Sequence, residues 1–200
     1  MHAMVASIVA FWCGAVPFAQ MMARWRAGVD LRRVGTGTVS GTGLYRVAGF
    51  GPLAVAGVCD VAKGTVGPLV AGDRPALAAV CGGLAVAGHN WSPFLRGAGG
   101  RGISPALGAL GVVAWPGAAV LLLGLAVGRA LHATALVSFL ADLALVPVTA
   151  LTHGAAGALA GACVAVPMLV KRVLGNAPPA VRGPRTYLHR LVFDHDPVAG

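Results

Sequence analysis

The chain alternates long apolar runs with short polar interruptions, and the runs are too nearly continuous to be the one-sided stripe of a helix facing water. From the N-terminus they cover residues 4–22, 52–71, 75–87, 103–128, 131–151 and 155–170. A bilayer crossing takes about 17 to 25 apolar residues. The pattern therefore predicts membrane-spanning helices joined by short turns. Pro17 lies inside the first run and predicts a kink or break there, because its ring removes a backbone donor and clashes with the preceding turn. Within 103–128, Trp115-Pro116-Gly117 disfavours a continuous helix and leaves two readings, one long crossing or two short ones.

Charge placement separates those readings, since basic residues concentrate in cytoplasmic loops. With a break at Trp115-Pro116 there are seven segments, and all fifteen Lys and Arg share one side except Arg74 opposite and Lys63 within a run. Without the break, Arg129 and the five basic residues from Lys171 onward join Arg74, and the bias is largely lost. The sequence thus predicts an all-α integral membrane protein of about seven transmembrane helices, N-terminus outside and C-terminus cytoplasmic. The first run is read as a retained helix, because Arg24 and Arg26 follow it and no small-x-small site stands before a polar chain. The expected organisation is a polytopic membrane domain over 1–175, cytoplasmic loops at 23–50 and 90–103, and a cytoplasmic tail over 176–200 that is open to disorder.

Composition agrees, with 57% hydrophobic residues, 10% charged residues and a mean hydropathy of +0.79, against about 25% charged in a soluble domain. A net charge of +9 raises nucleic acid as a partner. The charges flank apolar runs and few aromatics accompany them, so anionic lipid and phosphate ligands account for them better. Cys13, Cys59, Cys81 and Cys163 all lie in apolar runs without C-x-x-C spacing, which predicts small core residues and no metal or redox site. Glutamate is absent, and the six aspartates form no close pair besides Asp194 and Asp196. Two-carboxylate acid–base chemistry is accordingly not expected.

Two glycine-rich tracts break the apolar pattern, one from Gly35-Thr36-Gly37 through Thr42 to Arg46, the other from Gly88-His89 to Gly99-Gly100-Arg101-Gly102. Unhindered backbone N–H groups beside fixed positive charge are what holds a phosphate. Asp60 and Lys63 add an ionisable pair at helical i, i+3 spacing within an apolar run. A charge at mid-span costs about 2.5 to 3.5 kcal/mol on insertion scales, which leaves a functional pair facing the bundle interior or an ion pair that fixes helix register. His89 is either a site residue or a cap for a helix-end carbonyl. Arg32 and Arg33 suit interfacial anchoring, Trp25 and Trp91 suit interfacial aromatics, and Gly157-x3-Gly161 suits a helix-packing contact.

Taken in order, Gly14-Ala15-Val16-Pro17-Phe18, the stretch from Gly28 through Thr36 and Thr42 to Arg46, Asp60-Val61-Ala62-Lys63-Gly64, and Gly88-His89 with Phe94 leading to Gly99-Gly100-Arg101-Gly102 resemble the bacterial membrane acyl-phosphate:glycerol-3-phosphate acyltransferases, the PlsY family. The likeness runs from residue 14 to about 175. It implies seven transmembrane helices, a cytoplasmic active site and a place in the bacterial cytoplasmic (inner) membrane. The implied reaction moves a fatty acyl group from acyl phosphate to the 1-hydroxyl of glycerol 3-phosphate, giving lysophosphatidic acid for phospholipid biosynthesis and inorganic phosphate. No cofactor or metal is implied, and the leaving phosphate can accept the proton. By motif match Thr36, at the family's serine, Arg46 and His89 are the implied catalytic residues. Thr42, Lys63, Gly99, Gly100, Arg101 and Gly102 are the implied phosphate- and substrate-binding residues, with Arg101 at the usual lysine. The chain departs from the family at Thr38 and Gly43, where asparagines are usual, and near Val166 and Leu169, where a His and an Asn are usual. Two other functions remain open at this stage: a catalytically silent relative that binds or regulates phospholipid precursors, and a small anionic-solute transporter using Asp60 and Lys63.

Overall fold

A computed structural model describes residues 1–179 and 181–197, so the expectation for the tail at Ala180 and 198–200 lies outside the described residues. Every regular element among the described residues is helical. Three stretches are long and apolar enough to cross a membrane: His2–Ala27, Phe50–Ala71 and Thr134–Leu174. The first is broken where Pro17 predicts. Helix α1 (His2–Ala15) ends there and α2 (Phe18–Ala27) begins, stopped in turn by left-handed Gly28 at φ 65°.

The first polar tract is not wholly loop. It contains α3 (Gly41–Ala48), despite Gly41 and Gly43, because Ser40 accepts a hydrogen bond from Gly43 N–H at 3.2 Å and Leu44 is fully buried. One cap and one buried leucine outweigh the low helix propensity of two glycines.

Helices α4 (Phe50–Ala71) and α5 (Pro75–Asn90) follow. The break at Trp115-Pro116-Gly117 separates α6 (Ile103–Val113) from α7 (Trp115–Ala130), with Ala114 in an extended conformation between them. Gly117 packs on Leu110 across this break, and Leu125 of α7 shares a cavity with Ile103 of α6, so the two helices fold back on one another. Helix α8 (Thr134–Leu174) likewise consists of two arms that meet at Gly154, whose φ of 61° no helix contains. Arg172 near the end of the second arm donates to Ala135 O near the start of the first at 2.5 Å, which makes the arms antiparallel.

Small residues set these contacts, as expected where helices cannot be driven together by excluding water from one another. Added Cβ atoms at Gly64 and Gly108 would overlap the Pro105 and Val61 carbonyls across α4 and α6, and those at Gly157 and Gly161 would overlap Thr149 across the two arms of α8. The hairpins bring the polar tracts, the C-terminal end of α5, the N-terminal end of α6 and both outer ends of α8 to one side. There the tail contributes α9 (Pro184–Phe193), whose Leu191 and Val192 carbonyls accept hydrogen bonds from Arg172 at 2.8 and 3.0 Å.

Candidate active site

The two glycine tracts are far apart in sequence, and specific polar side chains bring them together. Gln20 on α2, 2% exposed, accepts from Leu31 N–H at 3.0 Å and fixes the start of the first tract. Asp30 accepts from Arg32 N–H at 3.1 Å and pairs with the Arg32 guanidinium at 2.6 Å. Those hydrogen bonds hold the Asp30 carboxyl well below the usual carboxylate range. With its pKa lowered, Asp30 stabilises the fold at every pH above the ordinary carboxylate value, and the contribution is lost only on strong acidification. The second tract is tied to α1 by Ser92 Oγ, which donates to Ala15 O at 2.6 Å.

Val39 N–H donates to Gly99 O at 3.1 Å, joining the tracts directly. Asn176 then clamps both. Its Oδ1 accepts from Gly99 N–H at 3.0 Å, and its Nδ2 donates to Gly99 O at 2.9 Å and to Gly37 O at 3.0 Å. An amide is suited to this task, since it offers an acceptor and two donors in one plane.

Between the tracts and the ends of α6, α7 and α8 lies a cavity of about 490 Å³. Thr36, Thr42, Arg46, His89, Arg101 and Gly102 all line it, so two thirds of the expected site residues share one space. Arg172 adds a third guanidinium, and Ser40, Ser104, Thr134 and Ser138 add hydroxyls. The N-terminus of α6 opens into the same space at Gly102, Ile103 and Ser104, where helical N–H groups have no partner within the helix. Ile103, Leu125 and Phe193 make part of the wall apolar. The Arg46 guanidinium has no hydrogen bond or ion pair with any described residue. Three arginines and a helix N-terminus in one recess favour an anion strongly.

Lys63, Gly99 and Gly100 stand behind this cavity and do not line it; they border a smaller gap shared with Asp60 and His89. Lys63, 5% exposed, forms an ion pair with the Asp60 carboxylate at 2.7 Å, donates to Val16 O at 2.7 Å and lies 3.0 Å from His89 Nδ1. An ammonium can only donate. His89 Nδ1 is therefore the acceptor, and the proton of the neutral ring sits on Nε2. The ring nitrogen facing Gly100 is that Nε2, so His89 presents a donor rather than a base.

Gly100, like Gly99 and Gly102 beside it, leaves no room for a side chain. A Cβ there would collide with His89 Nε2 and lie 2.9 Å from Val39 O. Gly100→Ala is expected to tilt the imidazole out of place, push back the Val39 carbonyl and lower turnover about a hundredfold, with a smaller loss of stability in thermal unfolding in detergent. Kinetics equal to wild type would remove His89 and its loop from the site.

Sequence reasoning singled out neither Arg172 as cavity lining nor Gln20 and Ser92 as fasteners. Arg172 carries a weak signal, a charge in the last turn of an apolar run. Gln20 and Ser92 carry none, because their partners are main-chain atoms.

Comparison with known proteins bears on this geometry. Residues 4–177 match the family described as glycerol-3-phosphate acyltransferase. The chain belongs to that family. A family member from Synechococcus sp. (strain CC9902), named glycerol-3-phosphate acyltransferase, is 34% identical over 161 residues, covering 78% of this chain and 80% of its own. Glycerol-3-phosphate acyltransferase 1 of Deinococcus radiodurans is 40% identical over 114 residues, 56% of this chain. That match spans 57% of the Deinococcus protein, so little more than half of its length is represented. Among solved structures, the glycerol 3-phosphate form of PlsY (YgiH), described as an integral membrane glycerol 3-phosphate acyltransferase, superposes with a TM-score of 0.75 at 23% identity, covering 99% of this chain and 96% of that one. Its lysophosphatidic acid form gives a TM-score of 0.66 at 20% identity, over 93% and 98% of the two chains. These two structures establish the shared fold. The acyltransferase family match ends at 177, before α9.

Proposed function

We propose that the chain transfers a fatty acyl group from acyl phosphate to glycerol 3-phosphate, and that it does so as a multi-pass protein of the bacterial inner membrane with seven crossings and the cavity facing the cytoplasm. The observation that carries this reading is the convergence of Arg46, Arg101, Arg172 and the α6 N-terminus on one recess with an apolar wall. Two phosphate-bearing substrates and one acyl chain need that combination of charge and grease. The seven crossings are supported by the hairpins of α6 with α7 and of the two arms of α8, and by the order of basic residues in the sequence, which puts all but Arg74 and Lys63 on the side of the glycine tracts.

In this reading the 1-hydroxyl oxygen of glycerol 3-phosphate attacks the acyl carbonyl carbon. The bond from that carbon to the phosphate oxygen breaks, and the hydroxyl proton leaves with the phosphate. No protein base is needed, which suits a neutral His89 whose free nitrogen carries a proton. His89 Nε2–H and the Thr36 hydroxyl serve as donors to oxygen atoms that gain charge, and Arg46 holds a phosphate through its planar fork. Lys63, Gly99 and Gly100 act from behind by setting the His89 ring and the loop path. Thr36 Oγ1 donates to Thr38 Oγ1 at 3.0 Å, and because a hydroxyl carries one proton, that donor must turn from Thr38 to the ligand oxygen when the cavity is filled.

The direct test supplies membranes containing the protein with acyl phosphate and labelled glycerol 3-phosphate. Lysophosphatidic acid and inorganic phosphate are expected in equal amounts. Product no greater than from membranes without the protein would overturn the reading. Flux of glycerol 3-phosphate into sealed vesicles without product would favour transport instead.

A further inference from the structure

Of the three arginines in the cavity, two are occupied by the tail. Arg101 Nε lies 2.7 Å from Asp194 Oδ1 and 3.0 Å from Oδ2, while its Nη1 donates to Lys171 O at 2.9 Å. A guanidinium offers a phosphate two forked edges, and here each is already half used. The Lys171 carbonyl belongs to α8 and stays. The edge formed by Nε and Nη2 is the one a phosphate can take, and Asp194 sits on it. Arg172 spends Nε on Leu191 O and Nη2 on Val192 O, both in α9, as well as on Ala135 O. Phe193, Asp194 and His195 themselves line the cavity.

The tail is fastened as a unit. Arg190 pairs with Asp196 and donates to the Leu174 and Ala177 carbonyls at 3.1 Å each. Asp194 ends α9 in the left-handed region at φ 62°, a conformation that aspartate and asparagine accept more readily than other residues with a side chain. The outer face of α9 is exposed at Arg185 and Leu188, so nothing among the described residues covers it.

We propose that α9 and residues 194–197 form an autoinhibitory strap, in which the Asp194 carboxylate occupies the place of a substrate phosphate on Arg101 and docking of the tail and binding of a phosphomonoester exclude one another. Release of the strap uncovers the Nε–Nη2 edge of Arg101 and frees the Arg172 donors spent on Leu191 O and Val192 O, while Lys171 O and Ala135 O keep theirs; three guanidinium groups then offer donors to a ligand where docking leaves Arg46 alone. This inference rests on the phosphate-binding reading of the cavity. It does not need acyl transfer to occur.

The test uses the full chain, purified in detergent, and two readouts. Equilibrium dialysis against labelled glycerol 3-phosphate compares wild type with Asp194→Asn, which keeps the shape and the left-handed tolerance but removes the charge. Affinity is expected to rise about tenfold, the factor for a strap docked nine-tenths of the time, and to rise in wild type at higher ionic strength relative to the variant. Limited trypsin digestion at Arg185 reads the strap itself. Glycerol 3-phosphate is expected to speed cleavage in wild type, and Asp194→Asn is expected to be cut quickly without it. Equal or weaker binding by Asp194→Asn overturns the proposal, as does protection of Arg185 by the ligand. Should Asp194→Asn fail to fold, ligand-accelerated cleavage of wild type still decides. Tighter binding without any lysophosphatidic acid formation would keep the strap and reject the acyltransferase reading; product formation with no change in binding or cleavage would do the reverse.

Discussion

Arg46→Ala is expected to lower kcat/KM for acyl transfer about a thousandfold, while the protein remains folded. The residue sits in the last turn of α3, lines the cavity and forms no hydrogen bond or ion pair with a described residue, so its removal breaks no internal polar contact. What is lost is a bidentate partner for phosphate oxygens. Neither Thr36 nor Thr42 can replace it, since a hydroxyl supplies one donor and no charge. Arg46→Lys separates charge from geometry: a point charge restores part of the binding and little of the orientation, so KM should recover further than kcat. Steady-state rates with saturating acyl phosphate and varied glycerol 3-phosphate measure both. Activity of Arg46→Ala within threefold of wild type would remove this side chain from the reaction.

Asp60→Ala is expected to cost about 3 to 5 kcal/mol of stability, the range found when one partner of a buried ion pair is deleted. Asp60 and Lys63 are 6% and 5% exposed, and the ammonium would be left among a carbonyl, an imidazole and apolar neighbours. Thermal unfolding in detergent should register a drop on the order of 10 °C. The double substitution Asp60→Leu with Lys63→Met removes both charges and should recover most of that loss, because two charges of opposite sign buried together contribute little net stability over apolar side chains. Activity should not recover with it. Without the Lys63 donor, His89 is free to carry its proton on either nitrogen, and the donor facing Gly100 is no longer assured. A double variant that is both stable and active would reduce the pair to a register-fixing contact. A single variant as stable as wild type would show that the charges are not buried together.

The local features were legible wherever a residue type acts through its own backbone or its own spacing. Pro17 broke the first helix, Trp115-Pro116-Gly117 separated α6 from α7, and Gly154 stood in the gap between the runs at 131–151 and 155–170. The candidate site was legible as two tracts, since glycines beside arginines mark a phosphate-binding chemistry wherever they lie. Its assembly was not. Helix α3 was hidden by its glycines, and its formation depends on Ser40 as a cap and on a buried Leu44.

Asn176 illustrates the difference most clearly. In sequence it is one polar residue after a helix-ending glycine, while in the fold it spans Gly37 and Gly99 and holds both tracts in register. Arg101 shows the converse, for it reads as a free cation in a glycine loop and is found paired with Asp194, 93 positions later.

The order of apolar runs by itself determined a helical chain with stretches long and apolar enough to cross a membrane. The sequence also marked a phosphate-type chemistry, because hydropathy, charge and glycine content are properties each residue carries alone. The tertiary structure alone decided which expected residues face the cavity, that Lys63 lies behind it against His89, and that the tail reaches Arg101. Those outcomes depend on hydrogen bonds whose geometry is set by helix packing at glycine contacts, and no residue's own chemistry encodes the distance to a partner many turns away.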